Sequence, residues 1–559
     1  MPVFAFGVTG TRADDTRMGA MAERYAKQMA ALLGAVLWMC GCGGSNAPAS
    51  TTSSTGSGSS SSTDMGTLLM PNYSNQFQLE NAASGMVLGI SGQSQAAGAS
   101  VVQESNSSST DSMWHFVPAV YSDDEMVIEN MLTHNLIGFS ASAPTSVGLP
   151  SAANVATAGT QAIQDSETGT DDQDWQFYLL SDGNYLIRNH YSGLYLEVEN
   201  SSTSASATIT QGARTATAAG CTCQEWSMLS TGNAAYPAPM AVTGSGIYVH
   251  DPNMIVDPSG VYWLYGTHNT LAKSTDLKAF TSLTADFTTE PSWWSTIFAP
   301  SSGAPDMWAP SVLYANGIYY QYYAVPVEPD TLGGEAVIAL ATSTAPSGPW
   351  TDQGVIISSW SNSTTPTLSG FGFSNKTTYN AIDPAPYVDG NGNWWLVYGS
   401  WFDGTHIVAL DPSTGLLKTP GPDAETTSSS AAYRYWGEEG PFVYPWVFNG
   451  AQYYYYFASV NACCAADSTY RIVVGRSTNP TGPFYDRAGN ALTQNGGTIL
   501  LSTHGNIVGP GGQSVFTDTV SGVATPTLVY HYYDASNSGT PTLGLNRLGF
   551  TSDGWPYVE

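Results

Sequence analysis

Three segments in the N-terminal half share one pattern, and that repetition constrains the fold more than any other feature of the chain. They read LENAASGMVLGI (79–90), IENMLTHNLIGF (128–139) and IRNHYSGLYLEV (187–198). Each is followed by an apolar stretch ending in glutamine, at Gln103, Gln164 and Gln211. A tryptophan then stands two residues beyond a polar one: Ser112-Met113-Trp114, Gln173-Asp174-Trp175 and Gln224-Glu225-Trp226. A period of roughly 50 residues marks an architecture assembled from a repeated unit. Short strands that cannot close a core singly must share one, so the pattern predicts a β-trefoil over 71–230. Each tryptophan is expected in the common core, with glutamine tying down a backbone group.

The repeated Q-x-W resembles the ricin-type lectin domain. In that family an acidic residue in a turn after the second apolar position grips sugar hydroxyls. The matching positions here are Gly89, Gly138 and Glu197. The resemblance therefore implies sugar binding at the third repeat alone, through Glu197 and Tyr195.

From residue 237 the texture changes. IYVHDPNMIVDPSGVYWLYGTH (247–268), MWAPSVLYANGIYYQYYAV (307–325), AIDPAPYVDGNGNWWLVYGSWF (381–402) and EGPFVYPWVFNGAQYYYYFAS (439–459) follow one grammar. A polar or acidic residue precedes proline, then come a short strand, a turn with Gly or Asn, and an aromatic strand. Such alternation marks antiparallel hairpins. Several such units over 237–559 predict radially arranged four-stranded blades, a β-propeller whose innermost strands face a central cavity. The fold class is thus all-β, a trefoil followed by a propeller.

Asp251, Asp383 and Glu439 stand at the heads of three such units. Proline bars the residue before it from helix, which sets the angle of the chain there. Three carboxylates converging on one cavity meet the needs of glycoside hydrolysis: one protonated to serve the leaving oxygen, one ionised to activate water, a third to tune the first by its charge. Asp257 and Asp411 also precede proline but read as ordinary turn residues. Retention of all three carboxylates speaks against a non-catalytic sugar-binding protein. Glu438 and Glu439 are neighbours, and on a strand they face opposite sides.

These residues, with NAIDP (380–384), GSWF (399–402), CCAADSTYRIVVGRSTNPTGPF (463–484), HGNIVGPG (504–511), YHYYD (530–534) and DGWP (553–556), resemble glycoside hydrolase family 43 and within it the arabinan-cleaving, endo-acting members. The resemblance implies a five-bladed propeller, inversion of configuration and internal cuts in α-1,5-L-arabinan. An exo-acting arabinofuranosidase or xylosidase on the same propeller is the alternative. By position it implies Asp251 as general base, Asp383 as pKa modulator and Glu439 as general acid. The family motif, Glu then a small residue then Pro, fits Glu439 and not Glu438. The resemblance also implies substrate contacts from Gly333, Asn380, Ala381, Ile382, Ser400, Trp401 and Phe402, besides Asp251 and Asp383. It further implies a calcium ion near the propeller axis with His504 helping to hold it. His250 and the Cys463-Cys464 pair are read as structural.

The 559 residues carry 15 Lys and Arg against 44 Asp and Glu, a net charge of −29. That excludes nucleic acid and anionic surfaces, which need basic footprints, and suits a neutral polysaccharide. MAALLGAVLWMCGCGGS (29–45), preceded by Arg24 and Lys27, has the layout of an export signal and is too short to span a bilayer. Its end resembles a bacterial lipobox with Cys42 as lipid acceptor, so 1–42 reads as a signal and the product as exported, secreted or anchored by lipid. The Ser/Thr/Gly tract in 43–70 reads as a flexible tether. Cys221 and Cys223 stay open as a pair, and a monomer is expected.

Overall fold

The structure is a computed structural model. It describes residues 64–559 except 140–154, 215–220, 295–305, 327–335, 360–378, 420–428 and the short gaps 108, 121, 123, 285–286, 288–289, 435–436 and 465. The signal, Cys42, most of the tether and Gly333 lie outside the described residues.

Thirteen antiparallel strands between Thr67 and Ala234 form the trefoil. Its threefold pattern is carried by side chains. Trp114, Trp175 and Trp226 are fully buried. Their Nε1 atoms donate to the carbonyls of Leu88, Ile137 and Leu196 at 3.0, 3.1 and 3.0 Å. Gln103 Nε2 donates to Ser202 O, Gln164 Nε2 to Ser94 O and Gln211 Nε2 to Val155 O, so each repeat pins the backbone of another. Asn81, Asn130 and Asn189 do the same with the carbonyls of Cys223, Asp111 and Asp172. A polar atom buried with its partner in place specifies the arrangement, because without that partner it would go unsatisfied.

Two boundaries move. Thr67 and Leu68 pair with Leu179 and Tyr178, so the trefoil begins inside the stretch read as tether. Its last strand, Glu225–Ala234, runs past residue 230. Cys221 is bonded to Cys223, and Cys463 to Cys464.

Five four-stranded antiparallel sheets make the propeller. Their innermost strands are Asn253–Val256, Trp308–Ala315, Ala385–Val388, Glu438–Phe448 and Ile507–Val520. At the cleft end of each, one residue has a left-handed backbone: Asp251 (φ 49°), Ala309 (φ 42°), Asp383 (φ 54°), Gly440 (φ 61°) and Gly512 (φ 56°). These five and the residues after them line a small axial cavity of about 40 Å³. Asp and Gly are suited to that conformation, which other residues adopt at a cost.

The trefoil docks on the propeller through buried polar groups. Glu129 is buried and faces His115 Nδ1 at 3.1 Å, His134 Nδ1 at 2.8 Å, the Tyr236 hydroxyl and Ser502 Oγ at 3.3 Å. His504 belongs to this junction. Its Nδ1 lies 2.7 Å from Ser502 O and its ring packs on Tyr236 at 5.3 Å between centroids. Burial pulls its pKa from 6.5 down to about 4. The unfolded chain therefore takes up a proton that the folded one refuses. This contribution to stability is complete above pH 6.5 and is lost as pH falls toward 4. The expected loss is about 3 kcal/mol over that window. Denaturant midpoints at pH 7 and pH 4.5 should differ less in His504→Asn than in the parent; an equal difference would contradict the assignment.

Candidate active site

The left-handed residue at each blade's start sets which side chains enter the cleft. The residue just before it points into the cavity in four blades: His250, Trp308, Ile382 and Glu439. In blades 1 and 3 the left-handed residue is itself an aspartate, so Asp251 and Asp383 reach the same space. In blade 4 that place is Gly440, and the carboxylate comes from the preceding Glu439. The three acids thus meet in a cleft of about 350 Å³, together with Thr267, His268, Cys463, Cys464, Tyr470 and Tyr533.

Glu438 faces the other way. It is buried, accepts from the Tyr456 hydroxyl, and Thr405 Oγ1 lies 2.8 Å from that oxygen. Strand alternation alone separates the two glutamates.

Asp251 is fixed from several sides. Its Oδ2 accepts from Thr267 Oγ1 at 2.6 Å and faces His250 Nδ1 at 2.7 Å. His250 Nε2 lies 2.8 Å from the Tyr533 hydroxyl, whose oxygen accepts from Cys464 N–H at 2.8 Å. His250 is thus held between the Asp251 carboxylate at Nδ1 and the Tyr533 hydroxyl at Nε2. The Asp251 N–H donates to His531 Nδ1 at 3.1 Å, and the two imidazoles stack at 3.8 Å. Burial opposes ionisation of Asp251, but His250, His531 and Thr267 override it and hold the carboxyl well below its usual range. Burial, followed by the charge of His250, keeps His531 neutral.

Glu439 accepts from Ser400 Oγ at 2.9 Å through Oε2 and from the Tyr470 hydroxyl through Oε1. Burial pushes its pKa up to about 7; Ser400 opposes this and the charge of Asp251 adds to it. Asp383 accepts from Gly440 N–H at 2.9 Å. Burial, then the charges of Glu439 and Asp251, push it well above the usual range. One carboxylate is held ionised and its neighbours protonated, the division that acid–base chemistry at a glycosidic bond requires. Asp383 does not simply supply a charge that lifts Glu439, since it is itself pushed toward the neutral form.

The remaining sequence-predicted residues divide. Ile382 lines the cleft. Ser400 acts from behind through Glu439. Asn380 and Ala381 are buried, with Ala381 N–H donating to Ser359 Oγ at 2.9 Å. Phe402 is 47% exposed and is not among the described lining residues, whereas the Trp401 side chain hydrogen-bonds Glu439. On the trefoil, Tyr195 is buried and offers no face for a sugar, while Glu197 accepts from Gln224 Nε2 at 2.7 Å and stays half-exposed. A Cβ at Gly89 would sit 2.9 Å from Glu104 Cδ, and one at Gly138 2.8 Å from Gln173 Cγ, so side chains of the same trefoil already fill those two places.

The metal expectation needs correction. His504 is at the trefoil junction, not at the axis. The described group able to hold an ion is His250, Asp251 and His531. Two imidazoles and one engaged carboxylate do not fit calcium, which takes six to eight oxygens. Residue 512 is glycine, and a Cβ there would lie 2.6 Å from His531 Nδ1. His531, inside YHYYD, thus fills that space. Sequence reasoning also missed Trp308, Tyr470 and Tyr533. Trp308 could have been found, because it stands in MWAPS where His250 and Ile382 stand in their blades. Its Nε1 donates to Asp306 Oδ2 at 2.9 Å, and that oxygen also lies 2.7 Å from His268 Nδ1.

Carboxylates of opposed proton affinity at the mouth of a five-bladed propeller define a hydrolase of glycosidic bonds. The comparisons agree with this class. The chain belongs to glycosyl hydrolases family 43, whose model matches residues 245–556. A model for ricin-type beta-trefoil lectin domain-like sequences matches 67–147 and 128–212. An extracellular endo-alpha-(1->5)-L-arabinanase 1 of Bacillus subtilis (strain 168) is 38% identical over 332 residues, 58% of this chain and 91% of that protein. The arabinan endo-1,5-alpha-L-arabinosidase A of Aspergillus aculeatus is 35% identical over 340 residues, 58% of this chain and 94% of the relative. A solved endo-arabinanase from Bacillus licheniformis has 31% identity and a TM-score of 0.47, covering 57% of this chain and 99% of its own.

Proposed function

We propose that the protein makes internal cuts in α-1,5-L-arabinan with inversion, using Asp251 as general base and Glu439 as general acid. The carrying observation is the opposed proton affinity of these two groups across one cleft. Asp251, ionised and aimed by Thr267 and His250, takes a proton from the attacking water. Glu439, kept protonated by burial and oriented by Ser400 and Tyr470, gives its proton to the departing oxygen. Asp383, by accepting from Gly440 N–H, fixes the backbone beside Glu439. The likeness to arabinanases supports the choice of substrate. Export through 1–42 and lipid attachment at Cys42 belong to the same proposal.

The test is a product time course on linear α-1,5-arabinan. A ladder of intermediate oligosaccharides preceding monomer is the expected result. Arabinose alone from the first minutes would move the assignment to an exo-acting enzyme.

The pH dependence of kcat/KM follows from the same two groups. Glu439 must be protonated, so activity should fall as pH rises through about 7. Asp251 must be ionised and is held low, so the acid limb should lie below the usual carboxylate range and activity should persist well under pH 5. A profile with its optimum above pH 8 would contradict the assignment.

A further inference from the structure

We infer that the trefoil positions the catalytic acid, through Glu167. This rests on the proposed role of Glu439 and adds a residue from outside the propeller. Glu167 lies in the trefoil segment between the strand Ile163–Asp165 and the turn Asp171–Gln173, held by Gln173, which donates to Ser166 O at 2.9 Å and accepts from Thr168 N–H at 2.7 Å. Its carboxylate enters the propeller between two guanidinium groups. Arg471 Nη1 lies 2.9 Å from Oε1, and Arg434 Nη1 lies 3.9 Å from Oε2 and donates to Glu167 O at 2.9 Å. All three side chains are almost wholly buried, the arginines at 0% and Glu167 at 2% exposed.

Both arginines stand on the segments that carry the acid. Arg471 follows Tyr470, whose hydroxyl donates to Glu439, and its Nη2 donates to a second trefoil group, Pro118 O, at 2.8 Å. Arg434 lies on the approach to Glu439, with Gly437 N–H donating to Arg434 O at 3.2 Å. Asn461 completes the link: its Nδ2 donates to Glu167 Oε1 at 3.3 Å and its N–H to Gly437 O at 3.3 Å. Glu167 thus binds together the strand start that presents Tyr470 and the turn that presents Glu439. A buried cation deprived of its counter-charge moves toward water or another acceptor, and the segment bearing it moves too. A shift of a fraction of an ångström at Tyr470 is enough to misalign a proton donor.

The experiment compares full-length parent, Glu167→Gln, Glu167→Asp, Ser166→Ala and Glu439→Ala on two substrates. One is a linear arabinan oligosaccharide; the other is the same oligosaccharide with a nitrophenyl leaving group, which departs without a proton. Glu167→Gln should lower kcat on the first about tenfold with KM unchanged and leave the second within about twofold. Ser166→Ala removes a docking bond to Asp486 (2.6 Å) and should lower the melting temperature with kcat unchanged on both. Parent-like kcat in Glu167→Gln, or equal loss on both substrates, overturns the proposal. Should Glu167→Gln fail to fold, Glu167→Asp, which keeps the charge on a shorter stem, should show the same selective loss, and unchanged kcat there overturns it. Glu439→Ala separates the two readings. Selective loss of the first substrate upholds Glu439 as acid whatever Glu167 does, while equal loss on both removes the basis of this proposal.

Discussion

Asp251→Asn is expected to lower kcat on linear arabinan by about 10³- to 10⁴-fold with little change in KM, the effect of losing a positioned general base. Asparagine keeps the size of the side chain and an oxygen for Thr267 and His250. What it lacks is the charge and the basic lone pair that would take the proton from water. The backbone also tolerates the change, since asparagine adopts a left-handed φ nearly as readily as aspartate, and Asp251 sits at 49°. The loss should therefore appear in turnover while the melting temperature stays near that of the parent. Turnover within tenfold of the parent would mean that another group activates the water.

Removal of the acid should be nearly as costly on the natural substrate but depend on the leaving group. Glu439→Ala is expected to reduce kcat on arabinan by about 10³-fold. It should also abolish the alkaline limb of the pH profile, because the group titrating near 7 is gone. The deletion also leaves Ser400 and the Tyr470 hydroxyl without their acceptor, so some of the loss is general disorder in the cleft. The pH profile separates the two effects: disorder lowers the whole curve, whereas loss of the acid flattens one limb. A limb that persists in Glu439→Ala would place the titration on another residue.

Much of the architecture was legible because it repeats. Trp114, Trp175 and Trp226 stand at matching places in three similar segments, and equal sequences in equal settings fold alike. The blades were legible for the same reason, each opening with a polar or small residue and then a tight backbone. The boundaries were harder to place. Thr67 and Leu68 follow a Ser/Thr/Gly tract and carry no pattern of their own; only a neighbouring strand edge makes them part of a sheet.

Within the site, the acids could be read and their surroundings could not. Asp251, Asp383 and Glu439 announce themselves by position at a blade start, and the offset of Glu439 follows from the glycine that takes the left-handed place after it. His504 misled because HGN…GPG lies close in sequence to an axial strand while its imidazole turns toward the trefoil. His531 occupies the axial space instead, on the second strand of the fifth blade, beside a glycine that leaves it room. Nothing along the chain relates residue 531 to 251, since strands of different blades bring them together. The described donors that gather near the axis, His250, Asp251 and His531, are mostly nitrogen, a set that suits calcium poorly.

The sequence by itself determined the class of fold, because periodicity is local and survives without coordinates. Its resemblance to family 43 singled out Asp251, Asp383 and Glu439 and preferred Glu439 to Glu438, which strand alternation sets on opposite faces. Only the tertiary structure decided the proton affinities, which depend on burial and on charges far apart in the chain. It alone also decided that the trefoil is docked beside the acid. Glu167, Arg434 and Arg471 are unremarkable in sequence, the glutamate hundreds of residues from either arginine, and become a buried ion-paired cluster only when two folded units exclude water between them.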